Sequence, residues 1–370
     1  MKRTRGRIVH VESLDDLDHR LAAGATSMSG WRVRSVDLTG RSAELRRSRV
    51  DGATFLGCTF ASGDAERVAA AGALVLPAIP DVPVDVHRSA LYTAEELVDA
   101  PAYEDSLDAR AYAWSQRPWE PEQELAQTLH DHAVDQALQE WVRGRRLVGV
   151  MGGHAALRGD PTYAAAARLG QLVGAGLTVA TGGGPGAMEA ANLGARLADR
   201  PAADLDDALA ELAEVPSFRP SVTDWARSAL TVAAQFPDGP ESLGIPTWHY
   251  GHEPPNLFAS AIAKYFRNAV REAVLLETCD AGIVFLPGAG GTVQEVFQDA
   301  CENYYADESS VAPMVLVGEE YWTRVLPVWP LLRALAAGRV MEPHVHLVDT
   351  VEEAAALVGG GQLHHLPSET

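Results

Sequence analysis

Short apolar runs alternate with helical repeats over the C-terminal two thirds of the chain. Runs typical of buried strands lie at residues 147–151, 177–180, 243–248, 282–286, 313–317 and 344–348. Between several of them, apolar side chains recur at helical spacing, as at 163–173, 187–197 and from Val293 onward. Strands that alternate with helices in this way are typical of an α/β fold. The pattern therefore predicts a doubly wound parallel sheet of the Rossmann-like kind between residues 145 and 358.

The rest of the chain divides around this predicted domain. At 370 residues, the chain is too long for one compact core. We expect an N-terminal extension over 1–110, with a structural or regulatory role, and a linking segment over 111–144 that is mostly one amphipathic helix. We predict a C-terminal tail over 359–370. Inside the core domain, residues 200–241 interrupt the strand pattern with an acidic helix and a loop that contains proline and tryptophan.

An unusual spacing marks the N-terminal extension. Large apolar residues fall five positions apart at Leu45, Val50, Phe55 and Phe60, and a small residue stands two positions before each. This resembles four pentapeptide repeats, which would form about one coil of a short β-helical segment. A pair of ordinary strands accounts for the spacing equally well. Either arrangement predicts a scaffold rather than a site of chemistry.

Charge and cysteine content narrow the partners and the compartment. The formal net charge of -20 argues against nucleic acid or an anionic membrane as a partner, and no apolar run approaches the ~18 residues of a membrane span. Cys58, Cys279 and Cys301 form no CxxC pair and are odd in number, which favours the reducing cytoplasm. His130 and His132 stand two apart on a helix and face different ways, which predicts surface side chains. The sequence predicts no metal and no cofactor.

Three glycine-rich turns follow predicted strands, at 152–154, 182–186 and 288–292. Ligands of an open parallel sheet bind beyond the carboxyl ends of its strands, where all three turns fall. We therefore assign the turns, and the helix openings next to them, to a substrate site. Its predicted residues are Gly152, Gly153, His154, Gly182, Gly183, Gly184, Gly186, Met188, Glu189, Gly288, Gly290, Gly291 and Thr292.

The third turn has the features of a phosphate site. It leads directly into a helix, so the free backbone N–H groups of the first helical turn point back at the strand end. Arg267 and Arg271 stand four residues apart in the preceding helix, which would place two guanidinium groups on one face near the turn. The turn lacks the lysine of a Walker loop, and a G-x-G-x-x-A match at 182–187 follows the second strand rather than the first. A nucleoside monophosphate fits these features better than a triphosphate or a dinucleotide.

These residues resemble the Lonely Guy (LOG) family, whose members were often labelled lysine decarboxylases. The likeness rests on residues 181–190, Arg271, residues 287–292 and Glu295, and it covers about residues 145–350. It implies a phosphoribohydrolase that hydrolyses the N-glycosidic bond of nucleoside 5'-monophosphates to free base and ribose 5-phosphate. It also implies catalytic roles for Arg271 and Glu295, and a homo-oligomer, either a dimer or a tetramer.

Departures from the plant-type pattern favour the larger bacterial branch of this family, the nucleotide 5'-monophosphate nucleosidases. The motif P-G-G-x-G-T becomes Pro287-Gly-Ala-Gly-Gly-Thr292, the Arg-Lys pair becomes Arg271-Glu272, and the double Glu becomes Gln294-Glu295. The first glycine motif is one residue shorter than in the plant-type enzymes. Because that branch acts on common nucleotides and carries extra domains, the N-terminal extension fits it, whereas a cytokinin substrate does not.

Glu295 is the predicted catalytic carboxylate. It lies one helical turn, ~5 Å, beyond Thr292, about one ribose away from a phosphate held at the helix start. A carboxylate there can stabilise an oxocarbenium-like cation or activate a water molecule. Two other roles stay open from the sequence. Thr292 and Glu295 can form a capping box, and Arg271 can pair with Glu272 or Glu277 at the surface.

Residues after the second and third predicted strand ends complete the site. Met188 and Glu189 open a helix and can contact the base or the ribose. His249 and His252 follow a strand end in a stretch that can act as a lid, and they either reach the substrate or face solvent.

Two other functions fit parts of the same sequence. A non-catalytic nucleotide-sensing protein would use the same glycine turns, and release of free adenine from AMP would distinguish an enzyme from it. A lysine decarboxylase would need a lysine that forms a Schiff base with pyridoxal phosphate, and the core domain contains only Lys264. The sequence does not specify the preferred base.

Overall fold

The computed structural model describes residues 8–118, 120–249 and 253–359, and the chain divides into two compact units. The first unit contains the residues up to 89 together with 118–133, and the second contains 90–117 and the chain from 134 onward. Each unit has a parallel sheet with helices, which confirms the predicted α/β class. The division differs from the boundary predicted near residue 110, because residues 90–117 belong with the larger unit.

The first unit is a four-stranded parallel sheet with the order β1-β2-β3-β4. In chain order its elements are β1 Val9–Val11, α1 Leu14–Ala22, β2 Trp31–Arg34, α2 Ser42–Arg47, β3 Thr54–Leu56, α3 Asp64–Ala70 and β4 Leu74–Leu76. Val9 pairs with Trp31, and Thr54 pairs with Leu74, which lie 22 and 20 positions further along the chain. Each βα repeat therefore forms one coil that stacks on the coil before it.

No pentapeptide coil occurs in the described part of this unit, so that prediction is wrong. Leu45 lies in α2, Phe55 lies in β3 and Phe60 follows that strand, so these residues do not occupy equivalent positions. They fall five apart because helix, loop and strand each contribute a side chain to one hydrophobic core. Phe60 packs against Phe55 with ring centroids 5.5 Å apart. The segment is a scaffold of ordinary strands, as the alternative interpretation held.

The second unit is built on a seven-stranded parallel sheet with the order β11-β10-β9-β5-β6-β7-β8. Its strands are β5 Leu147–Met151, β6 Thr178–Thr181, β7 Ser242–Gly244, β8 Ala261–Ile262, β9 Ile283–Phe285, β10 Met314–Val317 and β11 Val345–Val348. Six of them fall within the predicted runs or within one residue of them. The two-residue strand β8 is the exception, since no predicted run covers it.

The helices of the second unit lie on both faces of this sheet, as a doubly wound fold requires. In chain order the helices after α3 are α4 Ala94–Leu97, α5 Leu107–Ser115, α6 Pro121–Val142, α7 Pro161–Gly174, α8 Ala187–Arg196, α9 Ala202–Ala213, α10 Val222–Gln235, α11 Asn268–Glu277, α12 Gly290–Tyr305, α13 Trp329–Ala336 and α14 Val351–Gly359. Helix α6 is divided between the units, since its residues up to 133 belong to the first. Helices α7, α8 and α14 pack together on one face, and α11, α12 and α13 pack together on the other. Within the described residues, no helix is both long and apolar enough to cross a membrane.

The helix predicted within residues 111–144 is present as α6, but one of its two histidines does not lie at the surface as predicted. His130 is fully buried rather than exposed, and its Nδ1 lies 3.0 Å from Asp131 Oδ1. Burial lowers the pKa of this imidazole, against the opposing effect of Asp131. His132 is exposed, as predicted. Helix α6 therefore buries a wider face than its apolar side chains alone indicate, since His130 and Asp131 are also buried.

Helices α7 and α8 approach one another closely because glycines line their contact. A Cβ on Gly170 would lie 2.1 Å from the Ala191 carbonyl oxygen, and one on Gly194 would lie 1.8 Å from the Ala167 carbonyl oxygen. No side chain fits at these distances, so the two helices pack backbone against backbone. This packing fixes the first residues of α7 and α8 beside the ends of β5 and β6, where two glycine turns lie.

We expect Gly194→Ala to destabilise the second unit by ~1–3 kcal/mol, because the added methyl group forces two buried helices apart. Urea unfolding followed by far-ultraviolet circular dichroism measures the change. Gly291→Ala is the matched control, since a Cβ there meets nothing within 4 Å. Equal unfolding midpoints for the two variants would contradict the close approach of α7 and α8.

Candidate functional site

A cavity of about 1360 Å³ lies at the carboxyl ends of the strands, where the order in which the chain adds strands to the sheet reverses. Strands β6, β7 and β8 extend from one side of β5, and β9, β10 and β11 extend from the other, so a crevice opens between the turns after β5 and β9. Ten of the predicted site residues line this cavity: Gly152, Gly153, His154, Met188, Arg271, Gly288, Gly290, Gly291, Thr292 and Glu295. The structure therefore brings together residues that lie up to 143 positions apart in the chain, from Gly152 to Glu295.

The turn after β6 supports this cavity from behind rather than lining it. A Cβ on Gly182 would lie 2.8 Å from the Met188 sulfur and 3.8 Å from Arg271 Nη1. A Cβ on Gly184 would also meet the end of the Met188 side chain, at 2.9 Å. Gly183 has a φ of +71° and packs against Pro246. These glycines were predicted to contact substrate, but they make room for the two side chains that do face the cavity.

Two further predicted residues have other positions. Arg267 is the extended residue that precedes α11, with its side chain exposed, so the predicted pair of arginines on one helical face is not formed. Glu189 is 1% exposed and makes a two-pronged ion pair with Arg158, whose Nε lies 3.2 Å from each carboxylate oxygen. Gly186 and Glu189 line a second, smaller cavity instead.

The turn between β9 and α12 has its carbonyl oxygens directed into hydrogen bonds. The Gly153 N–H donates to the Pro287 carbonyl oxygen at 3.2 Å, and the Tyr321 hydroxyl donates to the Gly288 carbonyl oxygen at 2.7 Å. Donors from two different elements thus hold the turn on both sides. Its amide N–H groups are the polar backbone groups left to face a ligand.

Helix α12 begins without a side-chain cap. Its N-cap residue, Ala289, has no side chain that could accept a hydrogen bond, and the first intrahelical bond runs from the Val293 N–H to the Ala289 carbonyl oxygen. The N–H groups of residues 290–292 come before that bond, and the first turn carries no acidic residue. An uncapped helix start that borders a cavity is a favourable position for an anion.

Arg271 provides a buried cation at this end of the cavity. It is 9% exposed, and its Nε is a buried donor without a hydrogen-bond partner among the described residues. The alternative in which Arg271 pairs with Glu272 at the surface is wrong. The Glu272 carboxylate instead accepts hydrogen bonds from Asn268 Nδ2, at 2.7 Å, and from Gln294 Nε2. An unpartnered guanidinium N–H suits an anionic oxygen of a ligand.

Glu295 faces the same end of the cavity, and its Oε1 lies 3.7 Å from Arg271 Nη1. Because α12 begins at Gly290, Thr292 is the third helical residue and not the cap, so the predicted alternative of a capping box is wrong. Burial raises the pKa of the Glu295 carboxyl to about 7, although Arg271 lowers it and Glu272 raises it. A largely enclosed carboxyl that titrates near neutral pH in a cavity is typical of an acid–base group.

The remaining charges in the cavity are mostly acidic. Among the described residues, the walls carry Asp160, Asp206, Glu253, Asp349 and Glu352 besides Glu272 and Glu295, and Arg168 is the one arginine there besides Arg271. Carboxylates accept hydrogen bonds from hydroxyl groups but repel anions. The cavity therefore fits a ligand whose negative charge is confined to the α12 end and whose other groups are hydrogen-bond donors.

Several residues of the site were missed from the sequence. Tyr321 lies in a single turn of π-helix, Tyr321–Val325, shortly after β10. The rule that ligands bind at strand ends applies to β10 as well and could have found it. Leu205 of helix α9 forms part of the wall, and only the tertiary structure brings it there.

His249 is exposed and borders neither cavity, while residues 250–252, with the predicted lid residue His252, lie outside the described residues.

Lys264 is not accessible to a cofactor. Its Nζ lies 2.6 Å from Asp108 Oδ1, both side chains are at most 2% exposed, and the Trp248 indole N–H donates to the same oxygen at 2.8 Å. Burial lowers the pKa of this lysine, and Asp108 opposes that shift. The residue is a structural partner for helix α5, so the lysine decarboxylase hypothesis loses its candidate lysine in the core domain.

Comparison with known proteins gives structural neighbours only, since neither a family model nor a curated protein matches the sequence. The X-ray structure of TM1055, a structural genomics target, is 20% identical with a TM-score of 0.39, over 58% of this chain and 99% of that one. The molybdenum cofactor carrier protein of Chlamydomonas reinhardtii is 18% identical with a TM-score of 0.35, over 59% and 98%. At these scores the likeness carries no argument about function.

We expect Glu295→Gln to gain stability over the wild type as the pH rises. The folded-state pKa of about 7 lies above the ordinary glutamate value of 4.5, so the folded protein holds this proton more tightly than the unfolded chain does. The stability that the protonated Glu295 contributes to the wild type is thus lost as the pH rises from 4.5 to about 7. The Gln variant keeps its stability over this range, because its amide does not ionise. Thermal unfolding near pH 5 and near pH 8 measures the difference.

The control for this experiment is Glu308→Gln, because Glu308 is exposed. Its melting temperature should follow that of the wild type at both pH values. A Glu295→Gln variant that also follows the wild type would show that burial does not perturb this carboxyl.

Proposed function

We propose that this protein hydrolyses the N-glycosidic bond of nucleoside 5'-monophosphates, releasing the free base and ribose 5-phosphate. One observation carries the proposal: the carboxyl of Glu295, whose side chain is 14% exposed, lies 3.7 Å from Arg271 in a cavity that ends at the uncapped start of α12. An anion site and an acid–base group one helical turn apart match the distance between the phosphate and the anomeric carbon of a nucleotide. The resemblance to the LOG family supports the same reaction.

In this proposal, the 5'-phosphate binds at the start of α12. The N–H groups of residues 290–292 donate to its oxygens, and the guanidinium of Arg271, which lines the cavity, supplies a charged donor. The ribose then lies alongside the first turn of the helix, ~5 Å per turn, which brings its anomeric carbon near Glu295. The acidic walls of the cavity accept hydrogen bonds from the ribose hydroxyl groups.

The chemical step breaks the bond between the anomeric carbon and the base nitrogen. The bonding electrons leave with the base, which takes up a proton from solvent, and the sugar passes through an oxocarbenium-like state. Glu295 in its ionised form stabilises that cation and removes a proton from the water that attacks it. With a pKa of about 7, the carboxyl is ionised in a large fraction of molecules at neutral pH and can return its proton to solvent afterwards.

The proposal includes the cytoplasm as the compartment and a homo-oligomer as the active form. Cys58, Cys279 and Cys301 are free thiols, which suits a reducing environment. Leu331 and Val325 are 61% and 66% exposed near α13, and such apolar side chains are suited to a contact between subunits.

A panel of nucleoside monophosphates assayed for ribose 5-phosphate tests the reaction, and binding without release would favour the nucleotide-sensing alternative.

AMP should be turned over far better than adenosine. Adenosine lacks the group that the α12 start and Arg271 bind, so it loses the charge-assisted hydrogen bonds that position the ribose. Adenine release from the two compounds, followed by chromatography, gives the ratio of their kcat/KM values. Equal values would reject the assignment of the phosphate to α12.

Glu295→Gln should lower kcat by ~100-fold or more, because the amide cannot carry the charge that faces the developing cation. Affinity for AMP should change little, since the phosphate site is intact. Arg271→Ala should weaken AMP binding as well, because it removes the cation from the phosphate site. Stopped assays of ribose 5-phosphate and calorimetric titration with AMP separate the two effects. Near-normal turnover by Glu295→Gln would exclude it as the catalytic carboxylate.

A further inference from the structure

A second cavity of about 280 Å³ adjoins the first and has no role in the mechanism above. It shares four wall residues with the large cavity, namely His154, Ala155, Ala156 and Glu253. The segment after β5 is thus a common wall, and a ligand can extend around it from one cavity into the other. Cavities that hold a whole ligand measure roughly 300–1,000 Å³. The smaller cavity therefore suits one part of a ligand rather than all of it.

The backbone at the end of β5 separates the smaller cavity from the proposed phosphate site. On one side, a Cβ on Gly288 would lie 3.1 Å from the Gly153 backbone nitrogen. On the other side, a Cβ on Gly186 would lie 2.6 Å from the Gly153 carbonyl oxygen and 2.8 Å from the His154 carbonyl oxygen. Three turns are therefore stacked in the order phosphate turn, β5 turn, β6 turn. A ligand that binds at the phosphate turn therefore has to extend past the β5 turn to reach the smaller cavity.

The outer wall of the smaller cavity comes from residues 216–225, the part of the chain that interrupts the strand pattern. It presents a phenylalanine and an arginine. The Phe218 ring packs edge-on against buried Trp225, with centroids 6.3 Å apart, and the guanidinium of exposed Arg219 lies 5.6 Å from the centre of the Phe218 ring. Aromatic rings and arginine planes are the groups on which nucleobases stack.

A buried arginine fixes this wall in place. Arg158 donates through Nη1 to the Trp225 carbonyl oxygen at 3.2 Å and to Ser228 Oγ at 2.8 Å, while its Nε lies 3.2 Å from both oxygens of Glu189. Arg158 also lies over the Trp225 ring, 4.5 Å from its centre. Because Glu189 belongs to α8, the arginine attaches the inserted segment to the sheet domain. The wall is therefore set before a ligand arrives.

We propose that this smaller cavity binds the base of the nucleotide, that it favours purines, and that the inserted segment 216–219 is the element that selects them. This inference rests on the proposed function for the placement of the phosphate. The base stacks on Phe218, and the exposed Arg219 side chain covers its outer face. Purines are favoured because their two fused rings cover more of the Phe218 and Arg219 surfaces than a pyrimidine does. Glu253, at the junction of the cavities, accepts a hydrogen bond from an N–H group of the base.

The test compares ligands with and without a base. In a Glu295→Gln background, which prevents turnover, Phe218→Ala should weaken AMP binding by about 5- to 150-fold, the ratio that corresponds to one lost stacking contact. Ribose 5-phosphate, which lacks the base, should bind with unchanged affinity. Phe218→Tyr keeps the ring and should restore AMP binding. Tyr305→Ala, an aromatic truncation at an 81% exposed position, is the control and should match the parent for both ligands.

The outcomes separate this inference from the proposed function. Unchanged AMP affinity in Phe218→Ala, or equal weakening of AMP and ribose 5-phosphate, would overturn the assignment of the base. AMP and CMP affinities that fall by the same factor would overturn the preference for purines. If the wild type released no ribose 5-phosphate from any nucleotide, while Phe218→Ala still weakened AMP alone, the hydrolysis would be rejected and the base site retained.

Discussion

The close contact of three backbone turns governs the arrangement of this site. The turn after β5 lies between the turns after β6 and β9, and no side chain fits at the points of contact. A Cβ on Gly152 would lie 2.9 Å from the Ala187 Cβ, and one on Gly288 would lie 3.1 Å from the Gly153 backbone nitrogen. Because the turns touch through backbone atoms, the openings of α8 and α12 converge on one crevice. That convergence sets the distances among the α12 start, Arg271 and Glu295.

The crevice keeps polar groups that the fold itself does not satisfy. Arg271 retains a buried Nε donor without a partner among the described residues, and Glu295, with its side chain 14% exposed, lies 3.7 Å from Arg271 Nη1, too far for a close ion pair. Burying charged groups with incomplete pairing lowers stability, and such groups persist where a ligand or a reaction uses them. In the same region, the Glu272 carboxylate is fully engaged by Asn268 and Gln294. The contrast between neighbouring carboxylates singles out Glu295.

The sequence predicted the sheet of the second unit well, because its strands are buried on both faces and appear as continuous apolar runs. Leu147–Met151 is such a run, and its predicted bounds are those of β5. Strand β8 was missed because two residues carry no periodicity, and the inserted helix α10 was missed because prolines and a tryptophan suggested a loop. In the first unit, the repeat of 20–22 residues was hidden behind an accidental spacing of five. Short periods arise by chance more easily than long ones.

The parts of the candidate site that lie at strand ends were predictable from the sequence. The parts that come from loops and helices folded over the crevice were not. The glycine turns, Arg271 and Glu295 follow from the rule that parallel strands present their carboxyl ends at one edge. The prediction that Arg267 shares a helical face with Arg271 is wrong for a local reason. Helix α11 begins one residue after Arg267 and leaves its side chain outside the helix. Leu205 and the inserted wall come from elements that are distant in sequence, and no local pattern indicates which loops fold over the crevice.

The two glutamates near the openings of α8 and α12 show why position alone does not assign a role. Both follow a glycine turn, and both were candidates for contact with substrate. Glu189 has both carboxylate oxygens within 3.2 Å of Arg158 Nε, and that arginine also holds the inserted segment, so the charge of Glu189 is used within the fold. Glu295 faces a single arginine at 3.7 Å, and burial raises its pKa to about 7. One carboxylate therefore supports the wall that would receive the base, and the other is left for the chemistry that would release it.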